Sequence, residues 1–279
     1  MPPSAPTSTS TTRSSTTTPE PGRELIAIGP VETHLIQRTK KDPICAALLD
    51  PENFSPRQAA EVASNAIKAG ASLVLIGGST LANQGRLDAV VKAVRNHVAR
   101  DKSQVPVVLF PGNITGVSRY ADAILFSSLL NSTNPYFIIG AQALGSTEVF
   151  KAGIESIPMG YLIFGNNTAA SFIGQVNSLP PSKPELAVIY SLAAKYLGMR
   201  TLYLEAGSGS GEPVSPQTIR AVRKVYDGLL IVGGGITTAR AAESAAENGA
   251  DILVIGNLLQ SPGFEGPLRE ITKSLRKHR

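Results

Sequence analysis

The sequence predicts an α/β fold, a modified (β/α)8 TIM barrel lacking the third helix, on three observations. Eight short apolar runs recur along the chain, stretches with helical periodicity separate most of them, and the runs nearest the C-terminus end in glycine-rich turns. Buried strands that alternate with helices form a parallel sheet, and eight of them close into a barrel more readily than they form an open sheet. A doubly wound sheet is the runner-up.

The first segment, MPPSAPTSTSTTRSSTTTPEPG, is almost entirely Ser, Thr and Pro, with too little apolar surface to offset the entropy lost on ordering. Residues 1–22 are therefore expected to be a disordered tail, and residues 23–279 a single barrel domain. The tail lacks the apolar stretch of a secretory signal, and with Arg13 as its one basic residue it makes a poor amphipathic targeting helix.

The strands are read in order as ICAALLD (44–50), SLVLIG (72–77), VPVVLF (105–110), DAILFS (122–127), GYLIF (160–164), TLYLE (201–205), LLIVGG (229–234) and DILVIG (251–256). Helical stretches between them include SPRQAAEVASNAIKAG, NPYFIIGAQALG, KPELAVIYSLAAKYLG, SPQTIRAVRKVYDG and TTARAAESAAENGA. Several open on Ser, Thr or Asn and close on Gly, the usual start and stop signals. One interval breaks the alternation. Between Phe110 and Asp122 stands only PGNITGVSRYA, too short for an ordinary helix with two loops. A missing outer helix leaves a gap in the barrel wall, lined by apolar strand residues and open to a long hydrocarbon.

Composition narrows the function classes. No apolar run reaches the roughly 18 to 20 residues that span a bilayer, which argues against a transmembrane enzyme. The formal charge of +5 suits an anionic partner. Lys and Arg are nevertheless scattered, aromatics do not alternate with them, and no nucleic-acid motif stands out, so no nucleic-acid partner is expected. Cys45 is the single cysteine, which rules out an internal disulfide and fits a reducing cytoplasm. His34, His97 and His278 share no ligand spacing and read as incidental; His34 is the one expected near a site.

In such a barrel the site is built from loops after the C-terminal strand ends, with phosphate bound after strands seven and eight. Here those loops are GGGITT (233–238) and GNLL (256–259), and Gly207, Ser208 and Gly209 follow strand six. Glycine permits close backbone approach, and a helix starting near Thr237 turns free N–H groups toward an anion. Tight turns also need Gly, so each loop alone says little. Three of them at consecutive strand ends point to a phosphate cradle. Across the mouth, Asp50 ends strand one in LLDPEN, and Ser79 and Thr80 follow strand two in IGGST. Asp50 alone reads as an Asx-turn before Pro51. Opposite a phosphate cradle, a carboxylate beside a hydroxyl suits Mg²⁺ that takes its other ligands from water and substrate phosphate.

The ordered set LLDPEN, IGGST, LFPGN, NPYFIIGAQ, YLEAGSGSGEPV, IVGGGI and VIGNLL resembles the geranylgeranylglyceryl phosphate synthase family, from about Lys40 to the C-terminus. The DPEN and YLEAGSG forms look most like its larger, chiefly archaeal branch. The resemblance implies a cytosolic enzyme of archaeal ether-lipid synthesis that joins sn-glycerol 1-phosphate to geranylgeranyl diphosphate and releases diphosphate. It implies Mg²⁺ on Asp50 and Ser79. It also implies glycerol phosphate on Tyr203, Leu204, Glu205, Ala206, Gly207, Ser208, Gly209, Gly234, Gly235, Gly256 and Asn257. Glu205, with Tyr203 beside it, is expected at the reacting hydroxyl. A homo-oligomer, dimer or hexamer, and contact with a membrane surface are further expectations. The alternatives left open are a heptaprenylglyceryl phosphate synthase, an isomerase or lyase of phosphorylated sugars, and an FMN-binding or non-catalytic barrel.

Overall fold

The computed structural model describes residues 28–78, 83–113, 116–165, 168–207 and 211–277. The tail expected over residues 1–22 therefore lies outside the described residues.

Eight parallel strands close into a barrel in sequence order: β1 Ile44–Leu49, β2 Leu73–Ile76, β3 Val107–Leu109, β4 Ala123–Leu129, β5 Glu155–Ile163, β6 Thr201–Glu205, β7 Leu229–Gly233 and β8 Ile252–Ile255. Closure comes from the pairing of β1 with β8, Ile44 opposite Ile252. All eight expected strands are present. The fifth begins earlier than expected, because Glu155, Ser156 and Pro158 break its apolar pattern while its register with β4 runs from Ala123 opposite Glu155 to Leu129 opposite Tyr161.

Outside the sheet lie α1 Pro30–Thr39, α2 Pro56–Lys68, α3 Gln84–Arg100, α4 Ala141–Ala152, α5 Ala169–Ile173, α6 Pro184–Tyr196, α7 Pro216–Arg223, α8 Ala239–Glu247 and α9 Glu265–Ser274. Their starts follow the sequence. Ser55 and Gln58 exchange hydrogen bonds as a capping box ahead of α2, with Pro56 next to them. Asn83, Ser215 and Thr238 cap α3, α7 and α8. The stretch NPYFIIGAQALG begins as a wider π-helical turn, Tyr136–Gly140, before continuing as α4. Among the described residues no helix joins β3 to β4, as the short PGNITGVSRYA segment required.

Side chains alternate across the sheet, as the two-residue strand repeat demands. Leu73, Leu75, Leu125, Tyr203 and Ile231 fill the barrel, whereas Val74, Ile76, Leu202, Leu204 and Val232 meet the helices. The lower end is closed by α1, which sends Leu35 into the barrel core. The Glu155 carboxylate accepts the Val31 and Glu32 N–H groups at 2.6 and 2.8 Å, and the N-terminus of α1 favours that negative charge. Arg200 Nε and Nη2 then grip the buried Glu32 carboxylate, each at 2.7 Å. This placement corrects the expectation for His34, which lies on α1 at the end of the barrel opposite the strand C-termini.

Candidate active site

The upper end is built differently. On β6 the two-residue repeat turns Tyr203 and Glu205 inward, while Leu204 and Ala206 point out into the core beneath the helices. Leu204 and Ala206 can therefore offer a ligand only their backbone. Glu205 is 7 % exposed, and its Oε1 accepts the Gly207 N–H at 2.7 Å. No cation answers it among the described salt bridges. Burial pushes its carboxyl above the usual carboxylate range, and the Tyr203 hydroxyl and Gly207 N–H pull it partly back. The Tyr203 hydroxyl is buried with no partner of hydrogen-bond geometry. Burial, and after it the charge of Glu205, pushes its pKa well up. A buried carboxylate without a cation beside an orphaned hydroxyl marks a place that awaits a polar ligand.

Around Glu205 the glycine turns after β6 and β7 come together. Gly234 and Gly235 adopt φ of +80° and +71°, and a Cβ at Gly234 would strike Glu205 Oε1 and crowd the Gly207 and Ala206 nitrogens at 2.7 and 3.0 Å. Only glycine combines that backbone with that proximity. After β8, Gly256 leads into a short 3₁₀ helix, Asn257–Gln260, the extra helix on which barrels of this class seat phosphate. The helix expected near Thr237 is α8, capped by Thr238. Ser208 and Gly209 lie outside the described residues.

Across the mouth, Asp50 Oδ1 accepts the Glu52 N–H at 2.9 Å, and the carboxylate packs against Gly78. Partial burial raises its pKa, while the Glu52 N–H and the Arg86 guanidinium lower it. Sequence reading missed Arg86, which donates to the Pro51 and Glu52 carbonyls at 2.5 and 3.1 Å and so shapes the Asp50 loop from the start of α3. Among the described residues no three His, Cys, Asp or Glu side chains gather as a metal cage. A lone carboxylate fits Mg²⁺ that draws its other ligands from water and phosphate. Ser79, the second expected ligand, and Thr80 lie outside the described residues.

Beside Glu205 opens an apolar groove of about 1150 Å³, its open mouth included. It starts at Leu48, Gly78, Phe110 and Glu205, and crosses the wall where the third helix is absent. From there it descends between β4, through Phe126 and Ile124, and one stripe of α4, through Ala141, Gly145 and Val149. The spacing of those three, four residues apart, puts them on one helix face. Gln142 Nε2 donates to Ser127 O and Phe137 O at 2.5 and 3.0 Å, which fixes α4 against β4. The gap was legible in the sequence; the identity of its lining was not. Tyr161 was missed too. Parallel pairing sets it opposite Tyr203, and with Phe110 the rings form a cluster with centroids 5.2 to 5.5 Å apart beneath Glu205.

Comparison with known proteins agrees with the fold. The PcrB family matches residues 37–275. The chain is similar to the geranylgeranylglyceryl phosphate synthase of Cenarchaeum symbiosum, 47% identical over 89% of this chain and 99% of that one. It is 44% identical to the synthase of the same description from Thermococcus kodakarensis, over 91% of this chain and 98% of that one. Among solved structures it resembles (S)-3-O-geranylgeranylglyceryl phosphate synthase from Thermoplasma acidophilum in complex with the substrate sn-glycerol 1-phosphate. That likeness has a TM-score of 0.84 at 33% identity and covers 90% of this chain and all of the other.

Proposed function

The chain belongs to the PcrB, or geranylgeranylglyceryl phosphate synthase, family, and we propose that it forms the ether bond between sn-glycerol 1-phosphate and geranylgeranyl diphosphate, releasing diphosphate, in membrane ether-lipid synthesis. The observation that carries this reading is the position of Glu205. Its carboxylate touches the phosphate cradle through Gly207 and lines the apolar groove. It therefore stands where a glycerol hydroxyl and a prenyl C1 would meet.

Glycerol phosphate would sit with its phosphate against Gly207, Gly234, Gly235 and Gly256, near the start of the 3₁₀ helix at Asn257, and with its hydroxyl end toward Glu205. The prenyl chain would run down the groove along α4, leaving its diphosphate near Asp50. Mg²⁺, held by Asp50 with Ser79, would neutralise charge on the departing diphosphate. As the bond from C1 to the diphosphate oxygen breaks, the glycerol 3-hydroxyl oxygen bonds to C1 and its proton passes to Glu205. The raised pKa suits that proton acceptance, because a base works best when its pKa approaches the operating pH. Tyr203 would hold the glycerol hydroxyl with the oxygen that now lacks a partner. The apolar lining of the groove keeps water away from C1 and so limits hydrolysis.

Among the described residues no helix is long and apolar enough to cross a membrane. We place the enzyme in the cytoplasm, meeting its prenyl substrate at the membrane surface as a homo-oligomer. The deciding experiment incubates labelled sn-glycerol 1-phosphate with geranylgeranyl diphosphate and Mg²⁺ and extracts with organic solvent. Label should enter the organic phase, vanish with EDTA and return with excess Mg²⁺. Absence of transfer by folded protein would overturn the reading. Shorter and longer diphosphates in the same assay set the chain length.

A further inference from the structure

Helix α5 is a five-residue element with no place in the chemistry above, yet it touches both halves of the site. It lines the prenyl groove along its length, through Ala170, Ile173 and its C-cap, Gly174. Its N-cap residue, Thr168, is 7 % exposed and sets its methyl carbon against Gly207, in the loop expected to hold phosphate. A Cβ at Gly207, where φ is +103°, would strike that methyl group. The contact is thus closely packed.

The two ends of α5 are anchored separately. Ser132 Oγ donates to Gly174 O at 2.6 Å and Thr133 N to Gln175 O at 2.9 Å, fastening its C-terminal end to the exit of β4. At the other end Thr168 and Ser171 form a reciprocal cap, with Ser171 N bonded to Thr168 Oγ1 at 3.2 Å and Thr168 N to Ser171 Oγ at 3.0 Å. The element spans the mouth of β5 like a strut between the exits of β4 and β6. Gly207 packs on Thr168, and the capped turn joins Thr168 to Ala170 and Ile173.

We propose that Thr168 is a positioning residue through which α5 couples the two substrate sites, so that glycerol phosphate in the cradle tightens the hold on the prenyl chain. Linkage makes the effect reciprocal: each ligand raises the affinity for the other by the same factor. A Gly207 held by bound phosphate would press on the Thr168 methyl group and steady the groove wall, and a filled groove would return the restraint to Gly207. The inference rests on the two-substrate reading above.

The test is a pair of titrations of the full chain with Mg²⁺ present. Binding of sn-glycerol 1-phosphate is measured by calorimetry with and without geranylgeranyl S-thiolodiphosphate, an unreactive donor, and the reverse titration closes the cycle. In the unaltered protein each ligand should tighten the other about five- to tenfold, within the common range for coupled sites. Thr168→Ser keeps the capping hydroxyl and removes only the methyl group. It should bring the factor to within about twofold of unity while leaving each separate affinity within about twofold of its original value. A residue serving only to hold the fold would instead weaken both separate affinities, and that result overturns the proposal. So does an unaltered protein with no coupling, or a Thr168→Ser protein that keeps it. Failure of either ligand to bind alone would sink the two-substrate reading itself, and the coupling with it.

Discussion

The two ends of this barrel treat buried charge in opposite ways. At the lower end Glu32 and Glu155 are each matched, one by the two-pronged grip of Arg200 and the other by two N–H groups of α1. At the upper end Glu205 is buried with one N–H bonded to it, beside a tyrosine hydroxyl that favours its charge yet makes no hydrogen bond of good geometry. An enclosed charge must be matched or the folded state bears its desolvation cost. The lower end is thus built for stability, and the upper end gives up stability by leaving a carboxylate unmatched among the described salt bridges.

The comparison breaks most visibly at Glu205. Glu205→Gln should lower turnover in the label-transfer assay at least about a hundredfold, the loss typical of a removed base. The same change should raise the melting temperature near neutral pH. The sign follows from linkage: the folded pKa lies above the unfolded one, so the contribution to stability is present below the unfolded pKa and is lost as pH rises through the folded one. Near neutral pH a neutral amide avoids that loss. A melting temperature that falls, or turnover that persists, would undo the contrast. Because the base must be ionised, the acid limb of the rate profile should also lie above the usual carboxylate range and disappear in the Gln variant.

Arg200→Ala tests the lower end and should show the reverse pattern. It leaves Glu32 buried without its partner, which should cost about 2 kcal/mol in denaturant unfolding; Arg200 is partly exposed, so the figure lies below that of a fully buried pair. Turnover well below the melting temperature should hardly change. Loss of activity without loss of stability would mean that the lower end reaches the site.

Gly145→Leu sharpens the upper end by filling the groove from α4. The KM for the twenty-carbon donor should rise roughly tenfold while a ten-carbon donor keeps its own, since one or a few methylenes of pocket volume carry about that much discrimination. Equal effects on both donors would place the chain elsewhere. Tyr203→Phe is expected to have the smallest effect. It removes a buried hydroxyl without a partner, so stability should stay within about 0.5 kcal/mol of the original, while turnover falls by less than about tenfold. A large loss of stability would show that the hydroxyl is satisfied in solution.

How far each region was legible follows from the same physics. Strand alternation, capping residues and the short segment after Phe110 are local signals, and from them the barrel, its strands and its missing helix could be read directly. The Gly207, Gly234 and Gly256 turns were legible because glycine at strand ends answers a local backbone demand. The early start of β5 was hidden, since Pro158 and Glu155 do not look like a strand until β4 pairs with them. Arg86, Tyr161 and the α4 stripe were hidden as well, because each reaches the site across tens of residues of chain.

By itself, then, the sequence determined which elements alternate along the chain and where the glycine turns fall, because those are questions of periodicity and backbone freedom within a few residues. Only the tertiary structure decided which charges are matched. Glu32 and Arg200 stand 168 positions apart and meet, whereas Glu205 meets no cation among the described salt bridges. Electrostatic matching depends on distance through space and on exclusion of water, and barrel closure sets both.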